Sequence, residues 1–329
     1  MTVMQLSLLQ HLWQRYKKVV SKIATQQTEP LLDAATLEDL RHRAQSIFEP
    51  QFLPRKLSTH RLIGEQLSRF RGQGFEFEEN RIYQAGDEPR LINWRLYART
   101  AELYTKVFNE ERRPEVYLVT DRRASMRFGT RKQLKAALAA KMSASAFFQA
   151  QRQALAVGGI IINETLDWFA PTAAGSLSQD YIHSLALPCP PLAFDNPQPD
   201  LNSVFSLLLE RVPHGSIILL VSDFSDLYEN SVSLLHQLNQ QCDVEAVLIR
   251  DPAESRINAH GVLLLDDPGS DRPLRIDTSQ KQLLSQFEQA VAKRNAEVTE
   301  IFQMSGIALT SCSTGDGIDV CLESSHARN

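Results

Sequence analysis

From Pro114 onward the sequence alternates short apolar runs with amphipathic ones, and this alternation constrains the fold more than any other feature. Glu115–Thr120, Leu155–Ile162 and Ser216–Val221 are strand-length runs rich in Val, Ile and Leu, whereas Lys132–Arg152 and Leu201–Glu210 repeat apolar residues at helical steps. Strands separated by helices predict βαβ units and a largely parallel sheet. The same reading predicts a short strand at Leu166–Ala170, a helix near Ser231–Gln240 and a strand at Val244–Arg250. A hairpin follows, Val262–Leu265 with Leu274–Ile276 around Asp267-Pro-Gly-Ser-Asp271, then a long helix at Gln280–Ile301 and a strand at Ile307–Cys312.

Ahead of Pro114 the text is different. Leu9, Leu12, Trp13, Tyr16, Val19, Val20 and Ile23 recur at three- and four-residue steps, with Lys17, Lys18 and Lys22 on the other face, predicting an amphipathic helix over 4–25. Such a stripe packs on its own protein or a partner, or lies on an anionic membrane, and the first reading is preferred. A second helix is predicted at Ala35–Ile47, with a loop at Gln51–Arg55. Residues 69–113 are dense in Gly, aromatic and charged residues, and the alternation over Glu102–Phe108 predicts a strand. Three segments follow: a helical arm at 1–57, a segment of unusual text at 58–113, and an α/β domain at 114–329.

Composition narrows the function classes. Hydrophobic residues at 43% and charged residues at 22% are ordinary globular values and exclude a disordered chain. Residues 1–75 carry 11 Lys and Arg against 6 Asp and Glu, so a basic first quarter precedes an acidic body within a net charge of -4. Cys189, Cys242, Cys312 and Cys321 show no CxxC pair and predict reduced thiols in the cytoplasm. No apolar run approaches the ~20 residues of a membrane span. There is no GxGxxG, GxxxxGK[ST], HExxH or GxSxG pattern.

Ligands of open parallel sheets bind outside the carboxyl ends of the strands, where the winding reverses. Asp121 follows the first strand and Asp223 the fourth, and in the doubly wound order these strands are neighbours, so the two acids are expected at one crevice. With Ser125 of Asp121-Arg-Arg-Ala-Ser125 they form a candidate oxygen-ligand set for Mg²⁺. Arg123 on the same loop offers the opposite reading, an ion-pair cluster in which a guanidinium neutralises Asp121 or Asp223. Both readings stay open on the residues alone. In the unusual segment, Arg81, Arg90, Arg95 and Arg99 stand among Glu76, Glu78, Glu79 and Asp87; from 69 to 113 there are 9 Lys and Arg and 8 Asp and Glu, too balanced for a nucleic-acid surface. A buried joint is expected there, built by Arg81, Gly86, Asp87, Arg90, Trp94 and Arg99.

Gly74, Glu76, Phe77, Arg81, Tyr83, Gly86-Asp87, Arg90, Ile92, Trp94, Ala98-Arg99 and Glu110 resemble the signature of domain-of-unknown-function family number 58. The resemblance extends through Asp121, Ser125, Met126, Asp223, Asp251-Pro252 and Glu254. It implies a von Willebrand factor A-like domain, with a doubly wound, mostly parallel sheet that holds a metal-ion-dependent adhesion site. It also implies a role as adaptor or co-chaperone beside a MoxR-type AAA+ ATPase. Arg123 stands where the family's Asp-x-Ser-x-Ser motif has its middle serine, and the family's separate threonine has no counterpart near Pro199–Ser203. The implied metal site is therefore degenerate: Asp121, Ser125 and Asp223 remain as Mg²⁺ candidates, with the guanidinium in the ion's place. The chain is expected to be a non-enzymatic adaptor acting on a client protein, without a membrane span and without nucleic acid. A metal-assisted hydrolase using Asp121 and Asp223 is the alternative, and a nucleic-acid binder using the basic first quarter is a third reading.

Overall fold

The computed structural model describes residues 30–46, 75–84, 89–110, 114–130, 133–172, 179–190, 198–255, 262–265, 274–277, 281–318 and 320–321. The helix expected at 4–25, the loop at 51–55, the turn at 267–271, and Gly86 and Asp87 lie outside the described residues. Two compact units divide the chain, one of Leu57–Arg113 and one of Met1–Lys56 with Pro114–Asn329. The expected arm at 1–57 thus groups with the α/β body, and its described helix, α1 (Ala34–Ser46), contributes Leu40 and Ala44 to the body's core.

In the smaller unit β1 (Phe75–Ile82) pairs antiparallel with β2 (Tyr104–Glu110), with a bulge between Phe77 and Glu79. Their connection contains α2 (Trp94–Thr100), a helix that residue periodicity did not reveal. Asn93 caps it by accepting the Leu96 N–H at 3.2 Å, and its amide donates to Asn80 Oδ1 at 2.8 Å, which ties the cap to β1. Ala101, left-handed at φ 59°, ends it. Seven residues are too few to display a 3.6-residue period.

The larger unit continues with β3 (Val116–Asp121), α3 (Lys135–Arg152), β4 (Val157–Ile162), β5 (Leu166–Thr172) and α4 (Gln179–Ala186). Next come α5 (Leu201–Arg211), β6 (Ile217–Ser222), α6 (Val232–Gln241), β7 (Asp243–Arg250) and α7 (Pro252–Ser255). A separate antiparallel pair, β8 (Val262–Leu265) and β9 (Leu274–Asp277), precedes α8 (Lys281–Met304) and β10 (Ala308–Ser313). The six-stranded sheet has the order β10-β7-β6-β3-β4-β5, with every neighbour parallel except the antiparallel β4–β5 pair. The winding therefore reverses between β3 and β6, the adjacency expected for the strands that precede Asp121 and Asp223.

Both sheet faces are covered, which explains why β3, β4 and β6 are buried along their whole length. Alternate side chains divide between two cores. Val116 and Leu118 join Leu40 of α1, Leu138 of α3 and Leu185 of α4, whereas Tyr117 and Val119 join Phe205 of α5, Leu238 of α6 and Phe302 of α8. One backbone approach is unusually close: a Cβ on Gly159 would lie 2.1 Å from the Leu118 carbonyl oxygen of β3. Only glycine fits that position in β4.

Candidate functional site

Three adjacent strands, β3, β6 and β7, end at or one residue before an aspartate that folds its own loop. Asp121 accepts the Arg123 N–H at 2.9 Å, Asp223 the Ser225 N–H at 3.0 Å, and Asp251 the Ala253 N–H at 2.9 Å. These are the side-chain turns that Asp forms with the backbone two residues on, and they set the chain's course at the carboxyl edge.

The Asp121 carboxylate is wholly buried. Arg123 reaches it twice, by Nε at 3.0 Å and Nη2 at 2.8 Å, and Ser222 Oγ donates to it at 2.6 Å. The other side of the guanidinium meets Asp226 at 2.6 and 2.9 Å and the Pro199 carbonyl at 2.9 Å. Asp226 also accepts the Leu201 N–H at 3.0 Å, at the start of α5. Burial works to lower the Arg123 pKa, but Asp121 and Asp226 outweigh it and raise it, so the guanidinium is a fixed cation.

Asp223 belongs to a second cluster. Lys135, wholly buried in the first turn of α3, donates to Asp223 Oδ2 at 2.9 Å and to Glu254 Oε1 at 2.5 Å. Burial again lowers the ammonium pKa while Asp223 and Glu254 more than reverse this. Glu254 accepts the Asp251 N–H at 3.1 Å through its other oxygen. Asp251 in turn takes both donors of Thr130, at 2.5 and 2.9 Å, and the Thr314 hydroxyl at 2.5 Å. A small open cleft adjoins this cluster, lined by Asp223, Ser225, Arg250 and Glu254 and by Arg294 and Asn295 of α8.

The site residues expected from sequence thus share one edge but not one ligand set. Ser125 Oγ is 3.4 Å from Ser225 Oγ, Asp121 is held by Arg123, and Asp223 by Lys135. These residues do not fit a divalent cation, because permanent cations already occupy both carboxylates and would repel the ion. Among the described residues no group of three His, Cys, Asp or Glu is arranged to hold a metal. Arg123 takes Asp121 and Asp226 rather than Asp121 or Asp223. Sequence reasoning missed Asp226 and Lys135. Asp226 stands in Ser222-Asp-Phe-Ser-Asp226 and Lys135 at the start of the helix after Asp121, but nothing in their spacing pairs them with Arg123 and Asp223.

The expected buried joint needs correction. Trp94 is 60% exposed, and Arg81, Arg90 and Arg99 are exposed as well. A seven-residue helix beside a two-stranded sheet buries Ile92 but lacks the apolar surface to cover a tryptophan.

Residues 79–297 match the model of a family described as Protein of unknown function DUF58. The chain is 27% identical over 257 residues to Uncharacterized protein Rv1480 of Mycobacterium tuberculosis, covering 77% of this chain and 79% of the relative. The same values hold for Uncharacterized protein Mb1516 of Mycobacterium bovis. Among solved structures, the conserved hypothetical protein BatB from Bacteroides thetaiotaomicron is 12% identical with a TM-score of 0.37, covering 65% of this chain and 96% of that one. An aerotolerance-related membrane protein from Bacteroides fragilis is 11% identical with a TM-score of 0.30, covering 58% and 100%. No helix among the described residues is long and apolar enough to cross a membrane.

Proposed function

The chain belongs to the DUF58 family, and from that premise we propose that it is a non-enzymatic adaptor or co-chaperone. On this reading the larger unit is a von Willebrand factor A-like domain with a degenerate adhesion site, and the partner is a MoxR-type AAA+ ATPase that acts on a client protein. The observation that carries the proposal is the Arg123 guanidinium between Asp121 and Asp226. A metal-assisted hydrolase working through Asp121 and Asp223 would need those carboxylates free to bind a metal or to accept a proton. Here both strand-end acids are committed to fixed cations, which suits a rigid edge that presents loops. The winding reversal beside Asp121 supports the domain type, and four free cysteines support a reducing, cytoplasmic compartment.

Affinity purification of the full chain from its native host tests the proposal. The expected result is a co-eluting AAA+ ATPase in stoichiometric amount. Hydrolytic turnover by the purified chain, stimulated by Mg²⁺ and lost on Asp121→Asn, would overturn it.

A further inference from the structure

Two of the cysteines meet. Cys312 lies near the end of β10, and the chain then turns back so that Cys321, 9 residues on, returns to it. The turn is folded from within: Ser313 accepts the Gly315 N–H on Oγ at 3.2 Å and the Asp316 N–H on its carbonyl at 3.0 Å, and Gly317 accepts the Cys321 N–H at 3.4 Å. Cys312 Sγ lies 4.0 Å from the Cys321 carbonyl oxygen, and its thiol donates to that of Cys321. Both cysteines are buried, in the core cluster that holds Val247 and Ile249. Asp316, Gly317 and Val320 between them are exposed, so only a thin layer of chain covers the pair. The shared hydrogen bond raises the Cys312 pKa and lowers that of Cys321, where it outweighs burial. Cys321 therefore ionises more readily, and the thiolate is the reactive form of cysteine. It also stands on the turned segment, next to exposed Val320, whereas Cys312 is held in the sheet.

We propose that Cys312 and Cys321 are a reversible redox pair, oxidised to a disulfide by peroxide, with Cys321 as the nucleophile and Cys312 as the resolving thiol. The Cys321 thiolate attacks a peroxide oxygen; an S–O bond forms as O–O breaks, and the departing hydroxide takes a proton to become water. The Cys312 sulfur then attacks the Cys321 sulfenic acid. An S–S bond forms, S–O breaks, and the Cys312 proton leaves with the hydroxyl as a second water. The two thiols lose two electrons and the peroxide gains them. A dithiol reductant restores both thiols by exchange, so the pair stands reduced at rest in a reducing compartment. Its consequence lies at the carboxyl edge. Thr314, inside the ring that the disulfide closes, donates its hydroxyl to Asp251 at 2.5 Å and its N–H to the Arg250 carbonyl at 2.9 Å. Closing the ring removes open states of this segment and so holds Thr314 on Asp251. The inference does not depend on the adaptor reading.

The test exposes the full chain, reduced and desalted, to hydrogen peroxide, then unfolds it with an alkylating agent and maps its peptides by mass spectrometry. Two of the four cysteines should remain alkylated, with Cys312 and Cys321 joined in a cross-link that dithiothreitol reverses. Cys312→Ala should lose the cross-link and hold Cys321 as a sulfenic acid that dimedone captures. Cys321→Ala should lose both signals, and Cys242→Ala should behave as the parent. Amide exchange at Thr314 should slow when the parent is oxidised. Four free thiols after peroxide, a cross-link through Cys189 or Cys242, linkage between two chains, or a sulfenic acid on Cys312 in Cys321→Ala would each overturn the inference. Unchanged exchange at Thr314 would overturn its reach to the edge. The cross-link is read on the unmutated chain, so it stays decisive if a variant fails to fold.

Discussion

Replacing Arg123 with serine removes five side-chain hydrogen bonds: two to Asp121, two to Asp226 and one to the Pro199 carbonyl. Asp121 is left wholly buried with Ser222 Oγ and the residue-123 N–H as donors, and with no cation. Stranding one member of a buried ion pair costs about 3–5 kcal/mol. At about 2–4 °C per kcal/mol for a unit of this size, the melting temperature should fall by roughly 6–20 °C. Calorimetry and urea unfolding at neutral pH read this directly. The substitution also changes what the edge binds. It removes the cation from both Asp121 oxygens, brings in a hydroxyl and restores an Asp-x-Ser-x-Ser pattern, so Mg²⁺ should raise the melting temperature of Arg123→Ser but not of the parent. A stabilisation of about 2.7 kcal/mol is expected once Mg²⁺ exceeds its Kd a hundredfold. Stability within about 0.5 kcal/mol of the parent, the range of ordinary surface changes, would refute the account of the ion pair. Tight Mg²⁺ binding by the unmutated chain, lost on Asp223→Ala, would refute the account of the site.

Three other perturbations probe the same edge and the sheet beneath it. Lys135→Met keeps the packing of the aliphatic stem but removes the buried ammonium from Asp223 and Glu254; it should cost about 3–5 kcal/mol in urea unfolding at pH 7. A deficit below about 1 kcal/mol would count against the cluster. Gly159→Ala puts a Cβ 2.1 Å from the Leu118 carbonyl and should cost about 3 kcal/mol or more, so a soluble variant melting within a few degrees of the parent would contradict the strand spacing. Burial raises the Asp251 pKa, but hydrogen bonds from Thr130 and Thr314 outweigh it and hold it below the ordinary 3.8. A depressed carboxylate stabilises the fold above its ordinary pKa and loses that contribution as pH falls through the folded value. Asp251→Asn should therefore flatten the acid limb of the stability curve below pH 3.8, and an unchanged limb would refute the assignment.

The parallel sheet was legible because a strand buried on both faces needs an unbroken apolar run, and Ile217-Ile-Leu-Leu-Val221 has no other reading in a chain with helices on either side. The positions of Asp121 and Asp223 were legible for a related reason: polar residues that end such runs mark strand ends. Their partners were not. Lys135 and Asp226 act across 88 and 103 residues of sequence, and spacing carries no information about contacts of that range. Helix α4 was missed for the same cause. Its residues 179–186 are brief, and its C-terminal end is fixed from outside, by Arg122 donating to the carbonyls of Ser184, Leu187 and Pro188 at 2.8–3.0 Å. The dense charges at 69–113 invited the reading of a buried lattice. The described arginines of α2 instead face water, because balanced counts do not require pairing.

The Asp121–Arg123–Asp226 network poses a question of purpose that energetics can settle. Replacing a complete buried ionic set by neutral groups is often neutral or stabilising, whereas removing one member is costly. Stability alone therefore does not account for the network. Its connectivity does: through Asp121 and Arg123 the loop after β3 is joined to β6 by Ser222, to the loop after β6 by Asp226, and to the start of α5 by Pro199 and the Leu201 N–H. On this view the network fixes where the edge loops stand. Combining Arg123→Met with Asp121→Asn and Asp226→Asn should then melt closer to the parent than Arg123→Ser alone, a strongly non-additive result. Amide hydrogen exchange at residues 123 and 201 should nonetheless quicken in the triple variant, because the loops have lost their fixed anchor. If the three losses simply add, or if exchange at both amides stays at the parent rate, the network is a stabilising element and not a positioning one.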